Sequence, residues 1–161
     1  MRILAIVVIF FMSELKENLH ALCAAYVRQR MQAAEQAIAE AQQAQTDDTK
    51  SSAGDKYETG REMAQQETNR NLAQLNEANK LMVALNHLPL NGTGEVAEAG
   101  SIVHTNNGSF YLAISAGTIA YAGKSYMAIS PASPLGLALK GKKAGDQLIL
   151  NGKSYEIMAV E

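Results

Sequence analysis

Tryptophan is absent, cysteine occurs once, and aromatic residues make up only 6% of the 161 residues. With no Trp and few rings, the chain lacks the stacking platform of a protein that holds single-stranded nucleic acid by its bases. The formal net charge of −2 leaves no basic surplus, so any action near nucleic acid requires a partner to bring the chain there. One thiol, Cys23, excludes an internal disulfide and fits a reducing compartment. Cys23 lies in LHALCAAYV at helical spacing among apolar residues, which reads as a small buried hydrophobe rather than a nucleophile. No long apolar run is present. Residues 1–12, MRILAIVVIFFM, fall short of the ~20 residues that span a bilayer. They lack a prompt small-x-small cleavage site, and bulky Leu22 before Cys23 argues against a lipoprotein signal. We expect translation to start at Met12, with Ser13 as N-cap, and a cytoplasmic chain with no membrane partner. His20, His87 and His104 have no metal-ligand spacing. Gly92-Thr93-Gly94 follows a helix end rather than a strand and is no phosphate loop, and no serine sits in a nucleophile-elbow context.

What the chain does have falls into two parts. Residues 13–46 contain neither Gly nor Pro and read as one long helix, with an apolar seam through Leu15, Leu19, Leu22 and Tyr26, then Met31, Ala34, Ile38 and Ala41. At 1.5 Å per residue this arm reaches roughly 45 Å. Residues 47–57 are rich in Asp, Thr, Ser and Gly and form a tip. The returning helix, 57–88, carries Leu72, Leu75, Met82 and Leu85, and Pro89 ends it. Near-equal arms around a short polar turn predict an antiparallel hairpin, a coiled coil of two strands. After a linker at 89–94, residues 95–161 turn to β-favouring runs: SIVHT, SFYLAIS, TIAYA, SYMAIS, QLILN and SYEIMAV. Ala122-Gly123-Lys124 and Asn151-Gly152-Lys153 have the composition of tight hairpins. Ser133 to Lys140 reads as a short helix with Ser133 as N-cap, Pro134 in its first turn and Gly141 beyond its end. The fold class is α+β, a helical hairpin followed by a small second domain.

Residues 129–160 resemble the C-terminal signature of the GreA/GreB transcription elongation factor family, in the order Ile129-Ser130, Ser133-Pro134, Gly141-Lys142-Lys143-Ala144-Gly145-Asp146 and Tyr155-Glu156-Ile157. The hairpin-then-domain layout extends the resemblance over roughly residues 13–161. It implies an FKBP-like C-terminal domain at the rim of the RNA polymerase secondary channel, and a hairpin reaching down to the active site. There, tip acids help hold a Mg2+ ion shared with the polymerase, which cleaves the 3′ end of a backtracked transcript. The chain would be no enzyme itself and would have no cofactor of its own. The resemblance further implies regulation of transcription elongation, with DNA binding in the company of RNA polymerase.

Candidate acids acting in trans are Asp47, Asp48, Asp55 and Glu58, and candidate basic contacts to nascent RNA are Lys50, Lys56 and Arg61. Candidate docking residues are Ser133, Pro134, Leu135, Lys142 and Lys143. Plain readings stand beside these: Asp55 as a cap of the second helix, and the lysines as a solvated turn. The tip departs from the family's Asp-Leu-x-Glu-Asn-Ala-Glu-Tyr pattern. With Tyr57 aligned, its two acid positions fall on Lys50 and Ala53. Stimulation of cleavage and occupation of the channel without cleavage, as a modulator or inhibitor, therefore both stay open. Outside that family stand an FKBP-like isomerase or chaperone, whose domain offers Phe110, Tyr111, Tyr121, Tyr126 and Tyr155, and a structural coiled-coil adaptor. The adaptor reading predicts oligomers, and the polymerase reading predicts a monomer.

Overall fold

The computed structural model describes the backbone of residues 2–48, 54–90 and 94–161, and the side chains of all of these except 2–13, 48 and 54–57. Two helices, α1 (Arg2–Asp48) and α2 (Gly54–Asn86), precede six strands and one short helix: β1 (Ile102–Thr105), β2 (Gly108–Leu112), β3 (Gly117–Tyr121), β4 (Lys124–Ile129), α3 (Pro134–Leu139), β5 (Gln147–Leu150) and β6 (Lys153–Val160). The architecture is α+β, a helical hairpin followed by a small sheet domain. Among the described residues no helix is long and apolar enough to cross a membrane. With Met1 as the first residue α1 starts before residue 13, and the side chain of Ser13, the expected N-cap for a start at Met12, lies outside the described residues.

The chain forms two compact units, Tyr26–Met82, and Met1–Ala25 together with Val83–Glu161. In the first, α1 buries Val27 and Ala34, while α2 buries Thr68, Asn71 and Ala78. Ala34 and Ala78 have little side chain to hold two backbones apart. The polar pair is satisfied within α2: Thr68 donates to the Ala64 carbonyl at 2.9 Å, and Asn71 donates to Glu67 at 3.3 Å. The burial of α2 thus steps through 68, 71 and 78, and Leu72, a turn of about 100° past Asn71, is 49% exposed, contrary to the sequence reading. A displacement in the opposite sense occurs on α1, where Leu19, Cys23 and Val27 are buried and Leu22 is exposed.

In the second unit the strands lie in the order β3-β4-β2-β1-β6-β5. All neighbours are antiparallel except β2 and β4, which run parallel through Phe110↔Met127, Tyr111↔Ala128 and Leu112↔Ile129. β6 serves two partners. Lys153 to Glu156 pair with β5, and Ile157 to Val160 pair with β1, with a register shift at His104/Thr105. Val103, Phe110, Leu112, Tyr155, Ile157 and Val160 form the core on one face with Leu139 of α3. On the other face Ile102, Tyr111 and Ala128 are buried, and Tyr111 lies near Cys23 of α1. At the base of the hairpin His20 Nε2 meets the Leu85 carbonyl at 2.9 Å.

The turns obey local chemistry. Ala122-Gly123 joins β3 to β4 with φ of 50° and 77°, and Asn151-Gly152 joins β5 to β6 with 51° and 75°. Both are two-residue loops with positive φ at both centres, the type I′ geometry that matches strand twist. Asn and Gly suit it, whereas Ala at position 122 carries a Cβ into the left-handed region. We expect Ala122→Asn to raise stability by roughly 0.5–1 kcal/mol, read as a higher urea midpoint with an unchanged m-value. A lower midpoint would contradict the strain assignment.

Candidate functional site

The residues of the C-terminal motif form one corner of the sheet domain. Ser130 follows β4 and opens a tight turn: its hydroxyl accepts from Ala132 N, and its carbonyl accepts from both Ser133 N at 3.0 Å and the Ser133 hydroxyl at 2.6 Å. Ser133 in turn caps α3, accepting from Gly136 N at 3.1 Å, and Pro134 takes the first helical position, where no N–H is needed. Gly136 is fixed by space rather than by φ. A Cβ there would stand 2.2 Å from the Ser130 carbonyl oxygen and 3.0 Å from the Pro131 backbone. Beyond the helix Gly141 adopts φ 81° and donates to the Ala97 carbonyl, and Ala97 N donates back to Lys142 O at 2.8 Å. Asp146 accepts from Lys143 N at 2.9 Å, and Gly145 N donates to Ile157 O. The Gly-Lys-Lys-Ala-Gly-Asp segment is therefore a loop stitched to both β6 and the segment before β1.

Of the five candidate docking residues, Ser133 has its hydroxyl engaged in the cap and Leu135 packs partly on the core. Pro134 and Lys143 are exposed, and Lys142 is half-buried. Leu137, which sequence reasoning did not single out, is 60% exposed on the same short helix.

At the far end of the hairpin, Asp47 is exposed in the last turn of α1, and Glu58 and Arg61 are exposed in the first turns of α2. The side chains of Asp48, Asp55 and Lys56, and Lys50 altogether, lie outside the described residues. No group of three or more His, Cys, Asp or Glu that could hold a metal is present among the described residues. Asp47 and Glu58 thus have the chemistry to supply single carboxylates to a metal held elsewhere, not a complete site.

A second polar cluster went unread in the sequence. His104 on β1 pairs across the hairpin with Ser109 on β2, and its Nδ1 lies 2.8 Å from the Ser109 hydroxyl. Its Nε2 lies 2.5 Å from Glu161 Oε2. Lys16 of α1 is buried close to Glu161 and Glu98, which counter the desolvation that lowers its pKa. The His104 hydrogen bond, aided by the nearby charges of Lys16 and Lys124, holds the Glu161 carboxyl below its ordinary value despite its burial. The facing of 104 and 109 follows from a two-residue loop at 106–107 and was accessible to sequence reasoning. The arrival of residue 161 beside them was not. Cys23, by contrast, is fully buried as expected, and desolvation pushes its thiol up to about 11, far from a nucleophile's range.

Two outcomes follow from this geometry. Gly136→Ala should lower stability by roughly 2–3 kcal/mol, since a backbone carbonyl and not a flexible side chain must give way. Urea unfolding checks it, and a loss near zero would show that the corner can open. For Glu161 the folded pKa is depressed, so the ionised carboxylate contributes stability above its ordinary value of 4.5, and that contribution fades as pH falls through the folded pKa. Between neutral pH and about pH 3, below the reference values of both carboxyl types, the urea midpoint of Glu161→Gln should fall less steeply than that of the unsubstituted protein. Parallel curves would contradict the assignment. In comparisons with family models, with curated proteins and with solved structures, the chain matches none.

Proposed function

We propose that this chain is a transcription elongation factor of the GreA/GreB type that binds RNA polymerase through the secondary channel and acts on backtracked or paused complexes. The observation that carries the reading is the combination of a helical hairpin with a sheet domain whose Ser133-Pro134 cap and Gly141–Asp146 loop stand in the order that the family signature gives them. α2 alone has 33 residues, roughly 50 Å of helix, long enough to carry a tip residue deep into a channel. On this reading the sheet domain is FKBP-like and docks at the channel rim through Pro134, Leu135, Lys142 and Lys143, with Ser133 fixing the helix that presents them. Asp47, Glu58, Asp48 and Asp55 supply carboxylates at the tip, and Lys50, Lys56 and Arg61 face nascent RNA. The Mg2+ ion belongs to the polymerase, and when bound it polarises a phosphoryl oxygen and activates water. The factor's own contribution is a carboxylate on a stiff arm, so it is a cytoplasmic monomer that stimulates the polymerase's own cleavage and no enzyme by itself.

One observation favours a second reading within the same family. Lys50 and Ala53 stand where the family pattern has its acids. A tip of this kind fits a factor that occupies the channel and modulates or inhibits polymerase without cleavage. The test uses a backtracked elongation complex with bacterial polymerase and the full chain, scored for both binding and 3′ cleavage. Stimulation is expected, falling at least tenfold in whichever of Asp47→Ala, Asp48→Ala, Asp55→Ala and Glu58→Ala removes the working carboxylate. Binding without cleavage would select the second reading. Absence of binding would remove both and return the chain to the isomerase or adaptor classes.

A further inference from the structure

The parallel pairing of β2 with β4 begins at Phe110↔Met127, so the strand segments before those residues are free of each other. An open groove of about 280 Å3 lies at that end. Its apolar wall is Phe110, Met127, Leu135 and Tyr155. Phe110 and Tyr155 meet edge to face with centroids 6.0 Å apart, and both are buried, which holds the wall in place. Thr118 and Ser125 add hydroxyls to the lining, while the Ser109 hydroxyl is taken up by His104. The single formal charge among the lining residues is Lys153, and no carboxylate lines the groove. The Lys153 ammonium lies over the Tyr155 ring, 5.7 Å from its centroid. The volume is close to the lower end of small-ligand pockets, about 300 Å3, and well above a benzene-sized cavity of about 150 Å3.

We propose that this groove is a binding site for a small aromatic carboxylate, with the ring system against Phe110, Met127, Leu135 and Tyr155 and the carboxylate toward Lys153. Charge complementarity selects this class over its neutral and cationic isosteres. An ammonium at the rim with no acid opposite it attracts an anion and repels a cation, and the hydroxyls complete the hydrogen bonds of a carboxylate oxygen that Lys153 leaves open. The site requires only the sheet domain's own residues; it shares Leu135 with the proposed docking face, and its test involves no polymerase.

The experiment is an amide NMR titration of the full chain with 2-naphthoate, its neutral counterpart 2-naphthalenemethanol and the cationic 2-naphthylmethylamine. Saturable shifts are expected at Gly108, Thr118, Met127 and Tyr155, with naphthoate bound about fivefold more tightly than the alcohol, the worth of one exposed ion pair, and the amine weakest. Lys153→Gln, at an exposed position, should equalise acid and alcohol without abolishing either. Met127→Asp, also at an exposed position, should weaken naphthoate most, because it places an acid against the ring and the carboxylate alike. Circular dichroism of both variants confirms that they fold. No saturable shift with any probe, shifts centred away from the groove, or an acid preference that survives Lys153→Gln would each overturn the proposal.

Discussion

The middle of the sheet is buried on both faces, and this constraint organises the rest of the unit that contains it. Along β2, Phe110 and Leu112 point to the core beside α3, while Tyr111 between them points to the opposite face, and all three are buried. A strand covered on one side would alternate apolar with polar residues; FYL is a continuous apolar run because each face has its own cover. Six residues of α3 are cover enough for the first face only because β6 brings Tyr155, Ile157 and Val160 into the same layer. The second face takes its cover from the base of α1, where Leu19 and Cys23 are fully buried and the thiol lies close enough to Tyr111 to add to the burial that raises the phenol's pKa. The Tyr111 hydroxyl has no hydrogen-bond partner among the described residues. Burying a large aromatic ring gains roughly 1.5–3 kcal/mol, and an unmet hydroxyl costs about 1–3 kcal/mol. Position 111 therefore serves the sheet by its ring, with the oxygen close to an energetic liability.

Within the unit Tyr26–Met82 the logic is different. Among the described residues there, Val27 is the largest side chain wholly buried, and the remainder of the buried set is Ala34, Thr68, Asn71 and Ala78. Such a set gains little from transfer out of water. The buried Thr68 and Asn71 meet their hydrogen-bond needs inside α2, on Ala64 and Glu67, so they can be buried without a polar partner on α1. Its cohesion comes from length and from small residues.

The parts of this fold that could be read from the sequence are those fixed within a few residues. Asn151-Gly152 and Ala122-Gly123 give their turns away because both central residues must take positive φ, and Ser133-Pro134 announces a helix start through its own hydroxyl and ring. All six strands and α3 follow from such punctuation. The seam was harder. Choosing Leu22 and Leu72 as seam residues follows hydrophobicity, but the helices bury Cys23 and Asn71 in their place, one position on and one position back, since a helix turns about 100° per residue and small side chains suit a close approach. The His104–Glu161 contact spans 57 positions and depends on how β6 hands over from β5 to β1. No local pattern encodes that. The groove at the start of β4 depends in the same way on where β2 and β4 cease to pair.

The motif residues themselves divide into two kinds, and the division bears on what a sequence signature means here. Ser133 spends its hydroxyl on a cap, Gly136 yields its space to the Ser130 carbonyl, Gly141 and Gly145 adopt positive φ to turn the chain, and Asp146 closes the loop by accepting from Lys143 N. Each has a complete structural reason to be what it is. What stands between them and faces solvent is Pro134, Leu137, Lys140 and Lys143. A likeness built on the first kind of residue speaks for a shared corner of structure. The exposed residues, an apolar ridge followed by lysines, have no such structural reason apart from Pro134 at the first helical position, so the surface chemistry of this corner is set largely by residues that the backbone leaves unconstrained.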